Sequence, residues 1–204
     1  ITALLLMLVS NVFAQQRFRG AATNPHTSAD ELPMDFCTKR ELTCVLDLTS
    51  TQSDCVFSEP ILSELNKATL NDGLRLLEKH CGGYRWRLSD GIHLFEPRRE
   101  KESDLGRTIR AVDLGKKVSP ESFMFHLVTA ADLQMMPGQG LGAKSQDKPV
   151  VRFKTSAGTL KASLISAAKQ YQRTVWAIVK TKEGYHFHVE VGPEAMGWRM
   201  GGRE

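Results

Sequence analysis

Two stretches decide the fold: TLNDGLRLLEKHCGGYRWRLSDGIHLFEP (69–97) and TLKASLISAAKQYQRTVWAIVKTKEGYHFHVEV (159–191). In the first, Thr69 is a helix N-cap that can accept from the third helical amide, with Asp72 placed to answer it as in a capping box. Leu70, Leu74 and Leu77 then share one helical face. Gly82-Gly83 predicts the stop, because glycine takes the left-handed C′ conformation without strain. Tyr84-Arg85-Trp86-Arg87-Leu88 alternates apolar and charged residues as a half-buried strand does. Asp90-Gly91 is a hairpin turn, and Ile92 and Leu94 begin the return strand.

The order recurs ninety positions later. Thr159-Leu160 matches Thr69-Leu70, Leu164 matches Leu74 and Trp176 matches Trp86. Glu183-Gly184 takes the place of Asp90-Gly91 three positions late, so the second hairpin loop is longer. Leucines at helical spacing recur by chance, whereas a tryptophan at the same offset is less easily accidental in a chain with three. Ile61-Leu62 and Val150-Val151-Arg152-Phe153 supply a strand ahead of each helix, which predicts two βαββ repeats in an α+β fold. Between them, Thr108 to Leu114 suggests a strand, and Ser119-Pro120 opens a helix with Phe123, Leu127 and Ala131 on its apolar face.

Working outward, ITALLLMLVSNVFA (1–14) is an uncharged apolar run with Val12 and Ala14 at the positions a signal peptidase reads. A buried amphipathic helix is the alternative. Residues 15–35 read as a flexible leader and 36–96 as a cysteine-bearing segment plus the first unit. Residues 97–148 are then a connector ending in a glycine-rich loop, 149–192 the second unit and 193–204 a tail. Cys44 to Leu48 could be a strand.

Export would favour pairing of Cys37, Cys44, Cys55 and Cys81, in any of three connectivities. A zinc site competes with that reading, but no close Cys-x-x-Cys pair is present. The net charge of +4 is mild, and basic residues alternate with acidic ones around 96–104. That pattern predicts a solvated surface rather than a nucleic-acid stripe.

These units resemble the short N-terminal (STN) domain of secretins and TonB-linked receptors, and a family of exported bacterial proteins of uncharacterised role built from such units. Thr69-Leu70, Tyr84-x-Trp86 and Asp90-Gly91 carry the resemblance in one copy, with Thr159-Leu160, Val175-Trp176 and Glu183-Gly184 in the other. The resemblance implies protein–protein contact without catalytic chemistry, the partner being another envelope or secreted protein in the periplasm or outside the cell.

The strand His186-Phe187-His188-Val189-Glu190 is the candidate metal site, and it supports the alternative of a metal-binding protein or metalloenzyme. Both imidazoles and the carboxylate share one strand face, with His93 on the matching strand of the first unit. Alternation on a strand with one wet face explains the same pattern without metal. Gly138 to Ser145 imitates a phosphate loop, but Ala143 stands where the motif needs glycine and no helix start follows. Cys81 beside His80 makes a poor nucleophile–base pair, since neighbours on a helix point about 100° apart. No catalytic or cofactor-binding residue is singled out.

Overall fold

The computed structural model describes residues 31–50, 59–136, 150 and 152–191. The signal-like run, residues 15–30 of the leader, the glycine-rich loop, Cys55 and the tail lie outside them. The chain runs α1 (Glu31–Lys39), β1 (Cys44–Leu48), α2 (Glu59–Lys67), α3 (Leu70–His80), β2 (Tyr84–Ser89) and β3 (Ile92–Pro97). After two 3-10 turns come β4 (Thr108–Ile109), β5 (Val112–Asp113), α4 (Pro120–Ala130), β6 (Lys154–Thr155) and β7 (Gly158–Thr159). The last elements are α5 (Leu160–Gln170), β8 (Thr174–Lys180) and β9 (Tyr185–Val191).

The helix starts follow local chemistry. Thr69 Oγ1 accepts from Asp72 N, Thr159 Oγ1 from Ala162 N, and Ser119 Oγ from Ser122 N ahead of Pro120. The capping box is incomplete, because the Thr69 hydroxyl donates to the Asp72 carboxylate instead of the carboxylate returning to the Thr69 amide. The stop of α3 also differs from expectation. Cys81 ends the helix at φ −114 with its amide on Leu77 O, and neither Gly82 nor Gly83 takes a positive φ.

Five strands form one mixed sheet in the order β2-β3-β1-β8-β9. β1 lies in the middle, parallel to both β3 and β8, while β2 and β9 run antiparallel to their inner neighbours. The fold is therefore α+β, with helices on both faces. α1, α2 and α3 pack over Cys44, Leu46, Tyr84, Phe95 and Ala177. α4 and α5 pack over Val45, Leu94, Trp176, Ile178 and Phe187. The predicted strand at 108–114 divides into β4 and β5, which pair with β7 and β6 as two short ribbons.

The local order helix–strand–strand occurs at both predicted places, but the units join β1 differently. The first meets it through its second strand, β3, and the second through its first strand, β8. Equivalent strands therefore point in opposite directions while keeping their left-to-right order. Two units of one handedness related in this way must turn over about an in-plane axis, so α3 and α5 lie on opposite faces. Trp86 and Trp176 each face their own unit's helix. Trp176 is fully buried because β8 is an inner strand, whereas Trp86 on edge strand β2 is half-buried.

Three expectations need correction. Ile61-Leu62 is helical, inside α2, where Pro60 occupies a first-turn position that needs no amide bond. A two-residue apolar run carries no period by which to separate strand from helix. The leader ends earlier than expected, because residues 31–35 belong to α1, whose Leu32, Phe36 and Cys37 are buried. Before the second helix, Arg152 and Phe153 are not strand, and β6 begins at Lys154.

Candidate functional site

The two open edges of the sheet differ in chemistry. On β2 the outward groups of Tyr84 and the outward amide of Trp86 are taken up by other parts of the chain. Trp86 N donates to the Glu78 carboxylate on α3, Tyr84 N donates to Cys81 O at 2.8 Å, and Arg98 Nε donates to Tyr84 O at 2.9 Å. Arg85 and Arg87 add charge along the same strand. Such edges resist strand addition.

On β9 the beginning is covered by another segment of the chain. Tyr185 N donates to Gln134 O at 2.8 Å, and Met136 N donates to Tyr185 O at 2.9 Å. Backbone direction alternates along a strand, so the groups of Val189 and Val191 point outward as those of Tyr185 do. Neither residue pairs on that side among the described residues. Gly184 lets the covering segment approach: at φ +138, a Cβ there would lie 2.7 Å from Gln134 O.

His186, His188 and Glu190 face the α1 side of β9, opposite Val179, Ala177 and Val175 of β8. The two imidazole centroids lie 4.1 Å apart with planes at 56°. Glu190 Oε2 accepts from Thr38 Oγ1 of α1 at 2.6 Å, which draws the carboxylate toward the helix. His93 stands on β3, three strands away, with its ring against Trp86 and its pKa lowered by burial. It does not join the histidine pair. No group of three or more His, Cys, Asp or Glu residues gathers as a metal cluster among the described residues.

Of the cysteines, Cys37 and Cys44 form a disulfide that ties α1 to β1, with Cα atoms 6.6 Å apart. Cys81 is also disulfide-bonded, so it offers no thiol nucleophile beside His80. Asp72, Glu78 and Asp90 hold, respectively, the Thr69 hydroxyl, the Trp86 amide and the Lys169 ammonium.

A charged seam escaped the sequence reading. The parallel strands β3, β1 and β8 end side by side, the end at which open α/β sheets usually bind ligands. Here the carboxylates at that end are engaged internally. Glu96, 2% exposed, lies among Arg85, Arg87 and Lys161. Burial pushes its pKa up, but Lys161 and the arginines outweigh burial and hold it below the ordinary value. Asp47 accepts from the Ser103 and Thr49 hydroxyls, and burial raises its pKa despite them. Asp104 accepts from Lys180 at 2.8 Å and from the Tyr185 hydroxyl at 2.6 Å, which overcome burial and lower its pKa. The seam joins the two units, since Lys161 comes from α5 while Glu96 comes from β3. The only sequence signal for it was a lone acidic residue in an otherwise apolar strand, at Asp47 and again at Glu96.

At the other end of the sheet lies a cleft of about 520 Å³, lined in part by Thr43 and His93. The ion pairs Lys169–Asp90 (2.7 Å) and Arg173–Glu41 (3.5 Å) also line it.

No known family, curated protein or solved structure matches this chain. No helix among the described residues is long and apolar enough to cross a membrane.

Proposed function

We propose that this chain is a non-enzymatic protein-interaction module of the exported, envelope-associated kind, and that it takes up an extended partner segment along β9. The observation that carries the reading is the contrast between the edges. Glu78, Arg98 and Cys81 hold β2 at Tyr84 and Trp86, while among the described residues the outward backbone groups of Val189 and Val191 find no partner. Strand addition would give affinity through main-chain hydrogen bonds and specificity through alternate side chains. On the α4–α5 side Val189 offers an apolar contact, and on the other face His188 and Glu190 offer polar ones. The resemblance of residues 60–96 and 149–191 to STN units favours the same reading, as does the Cys37–Cys44 disulfide, since disulfides persist in oxidising compartments.

The test places a photo-crosslinking side chain at Val191 in the full chain and exposes it to the native extract. The reading expects one dominant adduct whose crosslink maps to an extended segment of the partner. Val189→Pro, which removes an outward N–H without touching the β8 ladder, should abolish it. An adduct that survives Val189→Pro, or no adduct at all, contradicts the reading.

A further inference from the structure

We propose that His186 and His188 form a two-imidazole chelate for a divalent transition metal, with Cu²⁺ the best fit. This site does not depend on docking at the edge of β9. Residues i and i+2 of a strand sit about 6.8 Å apart along the chain, so imidazoles standing straight out from it would be separated by about that distance. Here the ring centroids lie 4.1 Å apart, so the rings lean together. Across the ladder His188 stands opposite Ala177 and His186 opposite Val179, two short side chains that keep the β8 surface low beneath the rings.

The separation bears on which ion fits. A metal about 2.0–2.1 Å from an imidazole nitrogen lies about 3.2 Å from that ring's centroid. Two such rings subtending 90° at the metal have centroids about 4.5 Å apart, and a tetrahedral angle opens this to about 5.2 Å. The observed spacing is nearer the right angle of a tetragonal site, the geometry typical of Cu²⁺ and Ni²⁺, and affinity for nitrogen ligands rises to Cu²⁺ along the divalent series. Glu190 is held toward α1 by Thr38, so the described residues supply two ligands and leave the other equatorial positions to water or another group. Imidazole must shed its proton to bind, so affinity falls in acid.

The test titrates the full chain with Cu²⁺ near pH 7.5, read by calorimetry and electron paramagnetic resonance. The expected result is one Cu²⁺ per chain with hyperfine coupling to two imidazole nitrogens. His186→Ala and His188→Ala should each weaken binding by about tenfold or more, at least the scale set by outer-shell partners of metal sites. His126→Ala, on the exposed face of α4, should bind as the parent does. Circular dichroism and melting of the two variants should match the parent, which separates loss of ligand from loss of fold. Binding by both single variants equal to the parent's, or no stoichiometric Cu²⁺ uptake, overturns the proposal.

Discussion

Replacing Glu96 with Gln tests how the two units are held together. The carboxylate is 3% exposed at its side chain and faces Lys161 (22% exposed), Arg85 (36%) and Arg87 (49%). Removing one member of a buried ion pair costs about 3–5 kcal/mol, because the remaining charge stays desolvated. Both arginines keep much of their hydration, and only Lys161 is left enclosed. Discounting for that screening gives a loss of about 2–3 kcal/mol near neutral pH. The pH dependence supplies a second check. The folded-state pKa of Glu96 is lowered, so its stabilisation is present above the unfolded value and lost as pH falls through the folded one. Urea unfolding of parent and Glu96→Gln should therefore differ by that amount near pH 7 and converge in acid. A difference under about 0.5 kcal/mol near pH 7, the range of ordinary surface substitutions, would refute the seam. So would a difference that does not change with pH.

Three further outcomes follow from the same geometry. Trp176→Ala should cost about 3–5 kcal/mol in denaturant unfolding, and Trp86→Ala clearly less, because the equivalent tryptophans sit on an inner and an edge strand. Equal losses would contradict the inverted placement of the units. Asp47→Asn should become more favourable relative to the parent between about pH 4 and pH 7. The parent's raised folded pKa means its contribution is greatest below the unfolded value and declines as pH rises through the folded one. Paired urea curves at the two pH values check this, and the opposite trend contradicts it. Gly184→Ala should destabilise by about 1–3 kcal/mol, since it forces a side chain into φ +138 and against Gln134 O; thermal melting reads it.

What could be read from sequence was what local chemistry determines. Caps at Thr69, Ser119 and Thr159 and turns at Asp90-Gly91 and Glu183-Gly184 depend on neighbours a few residues away, and the structure has elements at each. The central place of β1 depends on parallel pairing of Cys44 with both His93 and Val175, and no local signal encodes such long-range partners. That placement also explains why a ninety-residue offset appears in space as an inversion. α1 was missed because Pro33 among polar neighbours reads as a break, although Pro is tolerated in a first helical turn. The seam was hidden for the same reason as β1: Glu96 meets Lys161 only after the units assemble. His186 and His188 were visible as a pair on one face, but their approach to 4.1 Å and the distance from His93 depend on sheet order.

Among the described residues, the outward backbone groups of Val189 and Val191 on β9 are unpaired, whereas those of Tyr84 and the amide of Trp86 on β2 are held. Amide hydrogen exchange on the free chain, resolved by residue, reads this contrast between the edges. Val189 and Val191 should exchange rapidly and Trp86, whose amide is held by Glu78, slowly. Protection at Val189 and Val191 as strong as that across β1, or rapid exchange at Trp86, would contradict it.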